Sequence, residues 1–128
     1  MDISAFNGGR GMNKNKESTR YYSDAQEKEV CKVIRGQQTP NSGAGYFSKG
    51  DVVNAAASML CECKCSMSDK NSFSIKKEWL EKNKMEMREK RLDNHCVAFN
   101  FGPNSESYYI IEKKLMRYLI DKLEEEVI

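Results

Sequence analysis

Apolar and polar positions along the chain follow two different periods, which divide it into predicted helices and strands. Apolar residues recur at helical spacing over three segments, namely 22–35, 77–91 and 113–126. Short apolar or alternating runs predict four strands, at 51–55, 59–65, 95–101 and 107–111. The order α-β-β-α-β-β-α predicts an α/β fold in which helices flank a mixed central β-sheet.

Turn-forming and capping residues mark the predicted ends of these elements. Ser23 and Ser74 are suited to cap the first and second helices, and Gly36 is suited to end the first. Segment 37–45 contains proline, asparagine and two glycines, so it is expected to lack regular structure. On the last helix four apolar side chains are expected to face inward, namely Leu115, Leu119, Ile120 and Leu123.

The first 20 residues differ from the rest because they show no apolar periodicity. We expect residues 1–20 to form a flexible, basic leader, followed by a single domain over 21–128. The leader sets four basic side chains against Glu17, and these are Arg10, Lys14, Lys16 and Arg20. Basic tails often contact the phosphates of nucleic acids, but a solvated, disordered leader explains the pattern equally well.

Composition constrains the environment of the protein more than its partners. The formal net charge is only +2, which by itself gives no case for nucleic acid. No apolar run approaches the roughly 20 residues that span a bilayer, and no secretory signal is visible. The five cysteines are an odd number and closely spaced, which favours reduced thiols and a cytoplasmic location.

A zinc site is the alternative interpretation of these cysteines. Cys61, Cys63 and Cys65 alternate along one strand, whereas structural zinc sites usually place their ligands on a turn. Buried, reduced thiols that pack against a helix are therefore the favoured interpretation. His95 is the only histidine, and no partner for nucleophilic catalysis with a cysteine is evident.

The second predicted strand carries a charged pair on the face opposite its thiols. Because side chains alternate along a strand, Glu62 and Lys64 share one face. Asp51 begins the preceding strand, so its Cβ can lie about 5 Å from that of Glu62 across a hairpin. Two acids this close repel each other unless a cation lies between them, and Mg²⁺ takes oxygen ligands. The pattern predicts a Mg²⁺ site, with Mn²⁺ as an alternative ion, beside a fixed lysine.

Such a site suits hydrolysis of a phosphodiester. A bound metal ion polarises the phosphate and lowers the pKa of a bound water, and Lys64 can orient that water and stabilise the charge that develops at phosphorus. The same residue types are common on solvated strand faces, and this spacing often occurs by chance. Catalysis is favoured by the predicted hairpin, by the glycine-rich loop 42–45, and by a helix that carries Glu27 and Glu29 as further acids.

Four stretches, in chain order, resemble the PD-(D/E)xK nuclease superfamily, and within it the archaeal-type Holliday junction resolvases, including those of bacteriophages. They are AQEKEV (25–30), SGAG (42–45), KGDVV (49–53) and CECK (61–64). The resemblance implies a restriction-endonuclease-like core. It also implies a Mg²⁺-dependent endodeoxyribonuclease that resolves four-way DNA junctions as a homodimer and leaves 5′-phosphates.

The resemblance further implies roles for individual residues of the site. Glu27 would join Asp51 and Glu62 as the third metal ligand, and Glu29 is the less favoured acid of the same helix. Lys64 would be the catalytic lysine.

DNA contacts are implied in two further places. Ser42 and Gly43 would belong to the loop that meets the junction, and Lys76 fits a Ser-x-Lys start that is frequent in the next helix of the family, although solvated lysines are equally common there. The archaeal enzymes tend to carry an arginine before the loop, where this chain has Gln and Thr at 37–39. Lys49 can replace that charge.

Two other functions remain open, and the aromatic residues have a simpler expected role. A restriction- or repair-type nuclease, or a DNA-binding module without catalysis, would use the same fold. Trp79 is expected to pack in the core, while Phe99, Phe101, Tyr108 and Tyr109 are expected to fill the core or a dimer interface. The nuclease interpretation places the protein in the cytoplasm of a bacterial, archaeal or phage-infected cell.

Overall fold

The computed structural model describes residues 8–39 and 51–127, and the side chains of residues 21–39 and 51–126. Within these residues the chain forms three helices and five strands. In chain order they are α1 (Gly8–Ile34), β1 (Gln37–Gln38), β2 (Asp51–Asn54), β3 (Met59–Lys64), α2 (Lys77–Glu89), β4 (Asn94–Phe99), β5 (Tyr108–Ile111) and α3 (Lys113–Val127). The predicted α/β class and mixed sheet are confirmed.

The strands form one open sheet in the order β1-β2-β3-β4-β5. Neighbouring strands are antiparallel except β3 and β4, which are parallel and are connected through α2. A four-residue turn joins β2 to β3, and within it the Ala57 N–H donates to the Asn54 side-chain oxygen at 2.9 Å. Ser58 completes the turn with a φ of 55°. The predicted hairpin is therefore confirmed.

Two helices cover opposite faces of the sheet. On one face, Val30 of α1 packs with Cys61 and the half-buried Cys63 of β3. On the other face, the Trp79 ring of α2 lies over Lys64 of β3, with 4.5 Å between Nζ and the ring centroid. The prediction that the β3 thiols pack against a helix is confirmed, and the charged side chains of β3 lie beneath α2.

The chain passes very close to β2 as it leaves α1. Arg35 has a φ of 55°, and the Gly36 N–H donates to the Cys31 carbonyl oxygen at 2.9 Å. A Cβ at Gly36 would lie 2.7 Å from the Val53 carbonyl oxygen and 2.8 Å from a methyl carbon of Val52. Only glycine fits at position 36 without displacing the backbone of β2. This close contact between the two chain segments places β1 beside β2.

Two predicted helix starts were wrong. Helix α1 begins at Gly8 rather than near residue 22, so Ser23 lies inside it and residues 8–20 of the expected flexible leader are helical. Extending an established helix costs little, which allows a polar segment without its own apolar stripe to continue one. The N-cap of α2 is Lys76 rather than Ser74, and no side chain caps it.

Strand β1 lies in the segment that was expected to lack regular structure. Gln37 and Gln38 pair with Val53 and Val52 of β2. Neither glutamine is a residue type that favours strands. Their pairing with β2 satisfies backbone groups at the edge of β2, so it depends on tertiary position rather than on local sequence pattern. The element order is therefore α-β-β-β-α-β-β-α.

The last helix is placed differently from its prediction. Leu115 is buried, but Leu119, Ile120 and Leu123 are 42%, 43% and 58% exposed, so their predicted inward orientation was wrong. Periodicity shows that a helix has an apolar face, but not which element covers it. Among the described side chains of α3, Leu115 is the one that is buried.

Candidate metal centre

Two carboxylates meet across the β2–β3 hairpin. Asp51 and Glu62 are Cα partners in the antiparallel register, as the hairpin geometry predicted. They are only 3% and 9% exposed. Carboxylates are rarely buried to this degree unless they are paired or bind a metal. The predicted juxtaposition of these two acids is confirmed.

A third acid reaches the same place from α2. Glu86, together with Asp51 and Glu62, offers carboxylate oxygens that all lie within 4.8 Å of one another. The sequence-based prediction did not include Glu86. Spacing alone gave no signal for it, because the inner face of α2 is defined by the burial of Asn83 and Met87, four residues apart, in the structure. Glu86 is three residues after Asn83 and so lies at the border of that face.

Burial and mutual repulsion disfavour the ionised forms of these acids. Burial, reinforced by the charges of Glu86 and Glu62, raises the pKa of Asp51 to about 7, although Lys90 and Lys82 oppose the shift. Burial also raises the pKa of Glu86. Glu62 Oε1 is buried without a hydrogen-bond partner among the described residues. A divalent ion that takes oxygen ligands, such as Mg²⁺ or Mn²⁺, fits this donor set. It would offset the repulsion between the carboxylates and give the buried Glu62 oxygen a partner.

Lysine side chains border the acidic group on one side. Lys64 Nζ lies 2.9 Å from Glu62 Oε2, and the Lys64 side chain is 29% exposed. The Trp79 ring covers this lysine, and Lys76 approaches the same ring, with 5.8 Å between its Nζ and the ring centroid. Lys64 is thus fixed at the edge of the site and still reaches solvent.

Glu27, the acid that the resemblance implied, lies elsewhere. Its Oε1 accepts a hydrogen bond from Gln38 Nε2 of β1 at 2.7 Å, and burial raises its pKa. Its neighbour Gln26 is buried and donates to the Lys64 carbonyl oxygen at 2.9 Å. Among the described residues, the structure groups Asp51 and Glu62 with Glu86 and not with Glu27.

Most residues that were predicted to contact DNA fall outside what the structure describes. Positions 40–50 and the side chains before residue 21 are not among the described ones. The affected predictions are Ser42, Gly43 and Lys49 in the loop, and the side chains of Arg10, Lys14, Lys16 and Arg20 on α1. Lys76 is the exception, since it lies beside the site at the start of α2.

Comparison with protein-family models, curated proteins and solved structures found no match for this chain. None of the helices in the described part of the chain is both long and apolar enough to span a bilayer. The chemistry of the site therefore has to be inferred from its own geometry.

Proposed function

We propose that this chain is a metal-dependent DNA endonuclease with Asp51, Glu62, Glu86 and Lys64 in its active site. The observation that carries the proposal is the convergence of three acids next to a lysine, with one buried carboxylate oxygen that has no partner among the described residues. A solvated strand face, the simpler alternative, would leave these carboxylates exposed, whereas Asp51 and Glu62 are buried. Burying charges at this cost favours a functional site over a structural one.

Each residue has a distinct role in the proposed reaction. Asp51, Glu62 and Glu86 would hold the ion, which when bound supplies polarisation of the phosphate and acidification of water. Lys64 orients the attacking water and stabilises the negative charge that develops on the phosphate oxygens. Because the pKa of Asp51 is raised to about 7, protons compete with the metal below that pH, and activity should decline in acid.

The proposed substrate is a four-way DNA junction, and the proposed fold is a restriction-endonuclease-like core. Support comes from the four stretches that resemble the junction resolvases, two of which include Asp51, Glu62 and Lys64. The supply of the third acid by α2 rather than by Glu27 departs from what the resemblance implies. A restriction- or repair-type nuclease would use the same chemistry on linear duplex. All five thiols are unpaired, which supports a reducing setting, and we place the enzyme in the cytoplasm of a bacterial, archaeal or phage-infected cell.

A cleavage assay tests this function directly. The purified chain is incubated with Mg²⁺ and with an end-labelled synthetic four-way junction or a matched linear duplex. We expect Mg²⁺-dependent nicks in the junction that leave 5′-phosphates, and no cleavage in chelator or by Asp51→Ala. Equal cleavage of the duplex would support a restriction- or repair-type nuclease instead. If neither DNA is cut while both are bound, the protein is a DNA-binding module and the proposed enzyme is wrong.

Lys64 provides a prediction that separates chemistry from metal binding. Lys64→Ala should lower kcat by roughly 10²–10³-fold, the usual cost of losing one charge-stabilising donor, without weakening Mn²⁺ binding, because Lys64 donates no ligand atom. The matched control is Lys77→Ala, which removes an exposed lysine of α2 and should change kcat far less. Equal losses in the two variants would contradict the role assigned to Lys64.

The exposed face of α3 supports the proposed homodimer. Leu119, Ile120 and Leu123 are between 42% and 58% exposed on one helix. The helix begins with two lysines, has no acid in its first turn and no base in its last, and ends in acids 124–126. This arrangement opposes the helix dipole. Two copies of α3 packed antiparallel about a two-fold axis would cover the apolar face and bring each basic start to the acidic end of the other copy.

The oligomeric state in solution checks this interface. We expect the wild-type mass measured by light scattering to be that of a dimer, and Leu123→Asp to be monomeric and still folded by circular dichroism. Met85 on α2 is 61% exposed, so Met85→Asp is the matched control and should remain dimeric. A monomeric wild type at micromolar concentration would exclude the interface.

A further inference from the structure

Five aromatic rings form a continuous cluster next to the acidic site, which we call the aromatic strip. Ring centroids are 6.1 Å apart for Trp79 and Phe73, 5.1 Å for Phe73 and Phe99, and 5.5 Å for Phe99 and Phe101. Tyr108 closes the strip at 6.0 Å from Phe99 and 5.8 Å from Phe101.

The strip starts at the catalytic lysine and extends across the sheet to its edge. Lys64 is the register partner of Phe99, and Phe99 is the register partner of Tyr108 on the edge strand β5. Paired positions share a face and neighbouring strands lie about 4.8 Å apart, so the strip reaches about 10 Å from Lys64. Its inner end also meets Lys64 through the Trp79 ring.

None of the five rings is fully buried, so Trp79 is not the core residue that the sequence predicted. Phe73, Trp79, Phe99 and Phe101 are half-buried, and Tyr108 is 51% exposed. By contrast, residues 95–98 of β4, directly beside the strip, are all buried. The rings therefore present part of their aromatic surface to solvent.

Basic groups border the strip, as a polyanionic ligand requires. The backbone N–H of Lys70 donates to the Phe101 carbonyl oxygen at 2.7 Å, which holds this exposed lysine at the Phe101 end. The exposed Lys76 lies at the Trp79 end. Aromatic rings between lysines are the arrangement that binds single-stranded nucleic acid, because every base can stack while the lysines attract the phosphates.

We propose that the aromatic strip stacks unpaired bases of the DNA strand whose phosphodiester reaches Asp51, Glu62 and Glu86. The inference rests on the proposed nuclease function and narrows its substrate to DNA with single-stranded or splayed nucleotides next to the cut. A fully paired duplex keeps its bases stacked on one another, so it cannot use the strip. A single-stranded end or flap offers such bases without a cost of unpairing, whereas the pairs at the centre of a four-way junction would have to open at that cost.

Fluorescence of the single tryptophan, Trp79, tests the strip independently of cleavage. The full chain is titrated in EDTA with oligo(dT) and, separately, with a duplex of equal length. We expect saturable quenching by oligo(dT) and much weaker quenching by duplex, since a stacked base lies against the indole. Loss of one stacking ring by Tyr108→Ala or Phe73→Ala should weaken oligo(dT) binding by roughly 5- to 150-fold. Tyr108→Phe keeps the ring and should retain affinity.

Controls separate this inference from the nuclease proposal. Tyr21 is 65% exposed on α1, so Tyr21→Ala removes an exposed ring away from the strip and should leave oligo(dT) affinity unchanged. Equal quenching by duplex and oligo(dT), or unchanged affinity in both Tyr108→Ala and Phe73→Ala, would overturn the strip. If Mg²⁺-dependent cleavage persists in that case, the nuclease stands and the strip alone is wrong. Selective oligo(dT) binding without any cleavage would support the strip as a binding surface and reject the nuclease.

Discussion

Asp51→Asn is expected to stabilise the metal-free protein against unfolding at about pH 8 while abolishing Mg²⁺-dependent cleavage. The pKa of Asp51 is raised from 3.8 to about 7 by burial and by two neighbouring acids. A carboxyl group with a raised pKa in the folded state favours folding fully below about pH 4, and this contribution is lost as the pH rises to about 7. The amide of asparagine does not ionise, so the free energy of unfolding of the variant does not fall in this way as the pH rises.

The difference between the variant and the wild type should therefore depend on pH. In chelator, the melting temperature of Asp51→Asn should exceed that of the wild type by several degrees near pH 8, and the gap should shrink towards pH 4. Asp121→Asn removes an exposed carboxylate on α3 and should show no such trend. If the variant melts at a lower temperature than the wild type at both pH values, the charge of Asp51 does not destabilise the protein in chelator. Added Mg²⁺ should raise the melting temperature of the wild type only.

Glu86→Gln is expected to cost much more activity than Glu27→Gln. Glu86 shares the acidic group with Asp51 and Glu62, whereas the Glu27 carboxylate is bound to Gln38. Losing a residue that merely supports a metal ligand typically costs 10- to 100-fold in affinity or activity, so the loss of a direct ligand should reach at least about that range. Cleavage rates measured over a Mg²⁺ titration would show Glu86→Gln as a raised requirement for metal.

Glu81 offers the matched control for this comparison. It lies on α2 as Glu86 does, but its side chain is 66% exposed, so Glu81→Gln should keep wild-type kinetics. Should Glu27→Gln abolish cleavage while Glu86→Gln does not, the third acid would be the one that the family resemblance implies. The geometry described for Glu86 would then not be that of the active state.

The hairpin and its two acids could be predicted because their signals are local. Alternation along residues 59–65 sets the faces of β3, and a short turn fixes the register that pairs Asp51 with Glu62. The placement of the β3 thiols on the face that packs against α1 follows from the same alternation. Strand β1, by contrast, exists only because Gly36 lets the chain approach β2, and no pattern within Gln37–Gln38 encodes that pairing.

The third acid could not be predicted from spacing alone. Glu27 and Glu86 both lie on helices rich in charged residues, and which helix delivers an acid depends on the face of the sheet that it covers. The buried Asn83, whose Nδ2 donates to the Cys96 carbonyl oxygen at 2.8 Å, sets the rotation of α2 that turns Glu86 towards Glu62. The exposed face of α3 was missed for the same reason, since an amphipathic pattern does not identify its partner.

Calorimetric titration of the protein with Mn²⁺ at about pH 8 most directly tests whether the three acids form a metal site. We expect the wild type and Glu27→Gln to bind with similar affinity, and Asp51→Asn and Glu86→Gln to lose at least about tenfold in affinity. Wild-type affinity in both Asp51→Asn and Glu86→Gln, or no Mn²⁺ binding by the wild type, would contradict a metal centre formed by Asp51, Glu62 and Glu86.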